Sequence, residues 1–490
     1  MARINTNVSS LLAQHNLART DLDLRTRLQR LSTGLRINRG ADDPAGLIVS
    51  ERLRSELRGI GQAIDNSERT SSVIATMEGY LAEVNDLLNS IKSLIIQSAN
   101  TGGISREEIG ANQLQVDSAI DSITRISNTA SFAGLRLLDG SLEYLTSGIT
   151  QTEIANADII GTQFGNNTSV QVDVQVIASA QTATLFLSAA SGALASSVTL
   201  EIAGNEGVQL LSFASGTTLN AVANAINTLR DSTGVSAALF NSADATSGLV
   251  FSSRTYGTDS FVSVKRVGSD GAFFQTFDAK GVATVKARDN GRDVAALING
   301  TVASGHGLSA RLNTPALGIE VELTSAFATQ VTGTPSSFNI IGGGAEFQLG
   351  PTVNESQQVN FGVRSIAASR LGSTVIEDVQ YFLSSIKTGG DNSLVGGRAK
   401  QASEVLDSAI TDISVLRGRL GAFERNTVQT NIRALQVGLE NITSSESKIR
   451  DADFARETAE LTRAQILSQA GTSVLATANV SSQNVLALLG

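Results

Sequence analysis

The chain has 490 residues, long enough for about three domains at ~150 residues each. Its 37 Lys and Arg against 46 Asp and Glu leave a net charge of −9, which gives no electrostatic reason to seek nucleic acid or an anionic membrane. It contains no cysteine, and its only histidines are His15 and His306, so disulfides, thiolate metal sites, cysteine nucleophiles and multi-histidine metal centres are excluded.

The first predicted element is a long N-terminal helix. Ile4, Leu11 and Ala18 fall seven apart, as do Leu17, Leu24 and Leu31, and Leu28 and Leu35 continue the second stripe. Val8 and His15 lie on the same helix, where His15 reads as packed or solvent-facing rather than as a switch. The helix breaks at Gly40-Ala41-Asp42-Asp43-Pro44. Asp43 suits an N-cap and Pro44 the first helical position, so capping is favoured over metal binding for Asp42 and Asp43. The second helix carries Leu53, Leu57, Ile60 and Ile64, then Ile74, Met77, Leu81, Val84, Leu88, Ile91 and Ile95, and ends at Thr101-Gly102-Gly103. A third begins near Ser105, with Val116, Ala119, Ile123, Ile126 and Ala130 on one face.

From about residue 140 to 375 the composition turns to Gly, Ser, Thr, Asn and Val. Val170, Val172, Val174 and Val176 alternate, as do Val198, Leu200 and Ile202, and Ile319, Val321 and Leu323, which predicts strands. Leu219, Val222, Ile226 and Leu229 predict one short helix, giving a strand–strand–helix–strand unit over about 198–240. Ile341-Gly342-Gly343-Gly344 lacks the lysine and following helix of a phosphate loop and reads as a tight turn. The sequons in Asn166-Asn167-Thr168-Ser169 carry no assignment.

Helical spacing returns at the C-terminal end. Leu406, Ala409, Ile413, Leu416, Leu420 and Phe423 alternate three and four apart, and Val428, Ile432, Leu435, Leu439 and Ile442 resume after a one-residue skip. Leu467, Val474, Ala478, Val485 and Leu488 mark a final helix. Sustained spacing at both ends predicts an α+β protein, in which long terminal helices pair as a coiled-coil-like bundle around a β-rich middle domain. A lone helix has nothing to bury its stripes against, so both extremities are expected to fold only when packed with other copies. Arg417 and Arg419 read equally as interface cations or as a solvated face.

No cleavable signal and no run of ~18 apolar residues is present, so membrane insertion is not expected, although export by a route that reads no cleavable peptide stays open. No nucleophile–base pair can be assembled from the motifs, which argues against an enzyme with its site in the middle region.

Several runs resemble the bacterial flagellins. Leu28 to Asn38 (LQRLSTGLRIN), followed by Asp42-Asp43-Pro44-Ala45-Gly46, is similar to the family's N-terminal signature. Phe132 to Ser141 (FAGLRLLDGS) resembles the segment closing its N-terminal core. Leu416 to Ala422 (LRGRLGA) with Asn426-Thr427, and the runs from Asp453 to Ala476, resemble its C-terminal partner and final helix. The 198–240 unit resembles an insertion module of flagellin and hook-type proteins.

The resemblance implies a structural subunit, with no cofactor, that is exported unfolded and polymerises into the extracellular swimming filament. The alternative is the hook–filament junction protein of the same secretion class. It implies terminal helices of the inner core at 1–42 plus 453–490, a helical core domain at 43–175 plus 340–452, and a surface domain at 176–339. Implied partners are other copies of the chain, the export apparatus and an export chaperone at the C-terminal end, and the filament cap and hook-associated proteins. Ile4, Val8, Leu11, Leu24, Leu28, Leu31, Leu35, Leu416, Leu420, Phe423, Phe454, Leu461, Leu467, Val474, Leu475, Val485 and Leu488 are the expected packing and polymerisation residues. Flagellins recognised by the innate immune receptor carry an Arg and a Glu where this chain has Ser90 and Gln115, while Leu94 is retained, so recognition is expected to be weak.

Overall fold

The computed structural model describes residues 6–487 apart from 166, 188–191, 269–272, 280–283, 315, 332 and 377–378, and the side chains only as far as 480. Ile4 and Leu488 therefore lie outside the described residues, as do the side chain of Val485 and the sequon residue Asn166. The helices are α1 (Val8–Thr33), α2 (Pro44–Ala99), α3 (Arg106–Thr129), α4 (Leu219–Thr228), α5 (Arg230–Thr233), α6 (Ser325–Ala328), α7 (Ala399–Phe423), α8 (Gln429–Arg450) and α9 (Phe454–Ala487). The described strands lie between residues 131 and 381. The chain divides into two compact units, one of residues 1–75, 347–358 and 418–490, the other of 76–346 and 359–417.

Local chemistry fixes the helix ends. Asn7 caps α1, and Gly34 closes it in the left-handed conformation, its N–H donating to Arg30 O. Asp43 Oδ1 accepts from Gly46 N at 2.9 Å, capping the start of α2 at Pro44. Ser105 and Glu108 form a reciprocal capping box on α3. In α2 the buried positions step three and four apart through Ile60, Ala63, Ser67, Thr70, Ile74, Met77, Leu81, Val84, Leu88, Ile91, Ile95 and Ser98. The apolar stripe is thus one continuous seam, bridged between Ile60 and Ile74 by small residues. On α3 the seam uses Ile120, which is fully buried, where the spacing pointed to Ala119.

The skip between Phe423 and Val428 has a direct structural counterpart. Glu424–Val428 is a π-turn, and its i→i+5 bonding absorbs one surplus residue so that the seams of α7 and α8 stay on one side. Thr430 Oγ1 donates to Arg425 O at 3.3 Å, five residues back.

The β-rich part has two cores. In the first, a five-stranded sheet is centred on Val170–Ala178, flanked by Ala295–Ile298 and Ser336–Gly343. Its Val172, Val174, Val176, Phe338 and Ile340 share a core with Ile154, Ala310, Ile319 and Val321 of a second, four-stranded sheet. The Tyr144 ring packs at the margin of this core. A Cβ on Gly344 or Gly362 would come within 2.6 or 2.7 Å of that ring, so glycine at these two positions admits it. Gly342 and Gly343, expected in a tight turn, instead end the strand Ser336–Gly343 and pair with Leu145 and Tyr144. Burial pushes the Tyr144 hydroxyl up to about 12, and Thr162 N–H donates to it at 3.2 Å.

The second core lies between two more four-stranded sheets and α4. The predicted unit appears as Val198–Gly204, Gly207–Phe213, α4 and Val235–Leu239, though the last strand pairs with Leu249–Tyr256 in the opposite sheet.

Candidate assembly interface

α1 and α9 pair along a narrow seam. α1 contributes Ser10, Ala13, Leu17, Leu24, Arg27 and Leu31, all buried or half-buried. α9 answers with Glu457, Leu461, Ala464, Ser468, Gly471, Leu475 and Ala478, spaced four, three, four, three, four and three. Small residues let the helices approach closely: a Cβ on Gly471 would stand 3.2 Å from Leu17 Cδ1. Polar ties fix the register. Asn7 Nδ2 donates to Ala478 O at 2.9 Å, Ser10 Oγ to Asn479 Oδ1 at 2.8 Å and Ser468 Oγ to Asp21 Oδ1 at 3.2 Å.

A buried charge anchors the other end of the pair. Glu457 accepts from Arg27 Nη1 at 2.9 Å and from Arg30 Nη1 at 3.2 Å. Burial opposes its ionisation, yet the Arg27 and Arg30 guanidinium groups together hold its carboxyl below the usual carboxylate value. The same contact raises Arg27. Next to it the two chain segments leaving the helices are zipped. Arg36 N–H donates to Arg450 O at 2.7 Å, Ala452 N–H to Gly34 O at 2.9 Å, and Leu35 bridges Asp451.

The large apolar residues mostly do not enter this seam. Val8, Leu11, Leu12, Leu22 and Leu28 on α1 are 60, 57, 62, 64 and 49% exposed, and Phe454, Ile466, Leu467 and Val474 on α9 are 58, 62, 50 and 58% exposed. The sequence stripes thus separate into two faces. Leu17, Leu24 and Leu31 face inward, half-buried, while Leu11 and Ala18 face out. Leu28, which the spacing placed on the stripe of Leu17, Leu24 and Leu31, instead faces out, because the seam steps from Leu24 to Arg27 and then Leu31 and leaves Leu28 one residue off it. Leu35 lies just beyond the helix and is half-buried. Each helix of the pair therefore carries exposed large apolar side chains on its outward face.

The unit containing these helices also pairs α8 with the first part of α2. Arg450 Nη1 donates to Glu51 Oε1 at 2.7 Å, Asn431 Nδ2 to Ser67 Oγ at 3.3 Å, and Ser71 Oγ to Glu424 Oε1 at 2.6 Å, which makes the two helices antiparallel. Leu420 is fully buried, and Phe423 stacks with Phe347 at 6.1 Å between ring centroids. In the other unit Leu416 is buried and Arg417 pairs with Glu78 at 3.5 Å, so its cation is engaged within the chain. Ser90 and Gln115 are exposed and Leu94 is half-buried. No group of His, Asp and Glu placed to hold a metal occurs among the described residues, and no described helix is long and apolar enough to cross a membrane.

Comparison with known proteins identifies this architecture. The family model for the bacterial flagellin N-terminal helical region matches residues 4–143, that for the flagellin C-terminal helical region matches 403–489, and that for the flagellin hook IN motif matches 199–255. B-type flagellin of Pseudomonas aeruginosa is 30% identical, with 99% of both chains covered. The flagellin of Salmonella rubislaw is likewise 30% identical over 99% of both, and that of Escherichia coli K12 is 26% identical over 99% of both. A solved flagellar hook-associated protein-3 of Legionella pneumophila covers 81% of this chain and 98% of its own at a TM-score of 0.31 and 13% identity, a likeness that carries no argument. The chain therefore belongs to the bacterial flagellin family, the non-enzymatic structural subunits that polymerise into the extracellular flagellar filament.

Proposed function

We propose that filament assembly by this chain runs through the outward face of the α1–α9 pair. Val8, Leu11 and Leu28 with Phe454, Leu467 and Val474 meet neighbouring copies, while Leu24, Leu31, Leu35, Leu461 and Leu475 hold the pair itself together. The single observation behind this is the division of α1 into an inward seam of Leu17, Leu24 and Leu31 and an exposed face carrying Leu11 and Leu28. Leu416, Leu420 and Phe423 serve the helical core.

In this reading residues 1–42 with 453–490 build the inner tube, 43–175 with 340–452 the helical layer, and 176–339 the surface domain. The head-to-tail contact does not close on itself, so it propagates as an open helix. The export apparatus, an export chaperone at the C-terminal helix, and the cap and hook-associated proteins are the further partners. Ser90 and Gln115 at the receptor-equivalent positions, with Leu94, leave immune recognition weak.

Purified chain, dissociated by mild heating and recooled, tests the filament reading against that of a junction protein. Long filaments growing without other components support it, and short or absent polymers favour the junction role.

A further inference from the structure

The strand Gly207–Phe213 ends its four-stranded sheet among the described residues, in the order 288–290, 261–267, 198–204, 207–213. It pairs on one side with Val198–Gly204 through seven consecutive residue pairs, without a bulge. Its other edge leaves a row of backbone donors and acceptors available. Edge strands are ordinarily guarded by charge, proline or a bulge. This one, reading Gly-Val-Gln-Leu-Leu-Ser-Phe, has none of them. It also presents Val208 and Leu210 at 56 and 61% exposed, on the face opposite the core residues Leu200 and Ile202 of the neighbouring strand.

The sequence of the strand says what can cover it. An antiparallel copy centred on Leu210 sets Leu210 against Leu210, Val208 against Ser212 and Gln209 against Leu211. Apolar residues meet at the centre and no charge opposes another. The nearest charge, Glu206, would fall beyond the paired strand, opposite Ala214. A strand with a lysine or glutamate within it would select a partner of opposite sign. This one matches itself, and the filament already holds copies of the chain at high local concentration.

We propose that the edge strand Gly207–Phe213 is a self-association site, pairing antiparallel with the same strand of a second copy of this chain. The contact is isologous and closes at two copies, so it is separate from the open-ended contact that propagates the filament. It joins two four-stranded sheets into one of eight.

The absence of native cysteine makes the register directly testable. Opposed residues in a hydrogen-bonded antiparallel pair lie ~5.5 Å apart between Cα atoms, within disulfide reach. Full-length Leu210→Cys, oxidised with copper–phenanthroline in air, is expected to give a covalent dimer in at least tenfold excess over Val208→Cys, whose thiols lie two pairs from the centre on opposite sides. The double variant Val208→Cys, Ser212→Cys should recover cross-linking. Equal yields from the two single variants, or no dimer from Leu210→Cys, would overturn the proposal. Sedimentation of the unmodified chain below the concentration that supports filament growth gives a check free of substitution. A dimer abolished by Leu210→Lys supports the site, and a monomer at all such concentrations refutes it.

Discussion

Glu457, at the start of α9, accepts hydrogen bonds from both Arg27 and Arg30, on successive turns of α1, although it is only 6% exposed. One carboxylate therefore ties two cations of α1 to α9 at the base of the terminal helix pair, with Asp23 a second partner of Arg27 at 3.1 Å. Its folded pKa is depressed, so the stabilisation it confers is present above the ordinary carboxylate value of ~4.3 and is lost as pH falls through the lower folded value. Acid titration of the assembled chain, followed by helical circular dichroism, should show α1 and α9 loosening below about pH 4. Glu457→Gln should remove that acid step and cost ~1–3 kcal/mol, because it leaves Arg30 without this carboxylate and Arg27 with only the more exposed Asp23, while some solvent screening remains. An unchanged acid transition in Glu457→Gln would assign the step to other carboxylates.

The two faces of α1 should separate folding from assembly. Leu11→Ser with Leu28→Ser alters residues that are 57 and 49% exposed, so the thermal unfolding of the subunit should change by less than ~0.5 kcal/mol per site. The critical concentration for polymerisation should rise at least tenfold. Ala464→Leu acts on the opposite face. Ala464 is 2% exposed, and overpacking there should cost ~1–3 kcal/mol and splay the pair. Turbidity and electron microscopy of recooled protein measure both.

The π-turn at Glu424–Val428 predicts an asymmetry between deletions. Removing Asn426, which is exposed, converts the π-turn to regular helix and keeps the seams of α7 and α8 aligned, so stability should hold within about 1 kcal/mol. Removing Thr411, also exposed but within regular helix, rotates the remaining seam by ~100° and should lower the melting temperature sharply. Equal melting curves for the two deletions would mean that the surplus residue has no bearing on register.

Exposed Ser90 and Gln115 cannot form the charge-assisted contacts that an Arg and a Glu would make at these places. A reporter assay for the innate immune receptor should show weak or no activation by depolymerised chain. Replacement by Ser90→Arg with Gln115→Glu should raise it.

Much of the helical scaffold was legible because its signals are local. Pro44 after Asp43 marked the start of α2, and the one-residue skip between Phe423 and Val428 was visible although its form, a π-turn, was not. Less legible were seams built from small or polar residues. Ala63, Ser67 and Thr70 carry the middle of the α2 stripe, and Ser10, Ala13, Ala464 and Gly471 line the α1–α9 seam, where burial comes from close approach rather than from side-chain size. Periodicity showed that α1 has two apolar stripes but not which one turns inward. That depends on Glu457 and Asn479, more than 400 positions away. In the β-rich part, alternation at Val170–Val176 marked a strand. Its partners Ser336–Ile340 and Ala296–Ile298 lie too far along the chain for a single sequence to reveal. The unguarded edge at Val208 and Leu210 gave no signal until the strand order was known.

In the proposed assembly the outward apolar faces of α1 and α9 find cover only on neighbouring subunits, so ordered extremities and polymer arise together. Amide hydrogen exchange of the dilute monomeric chain, compared with the same chain in filaments, tests it most directly. The expected result is rapid exchange across α1 and α9 in the monomer, with strong protection in the filament and little change over Val172–Val176. Equal protection of both helices in monomer and filament would contradict it.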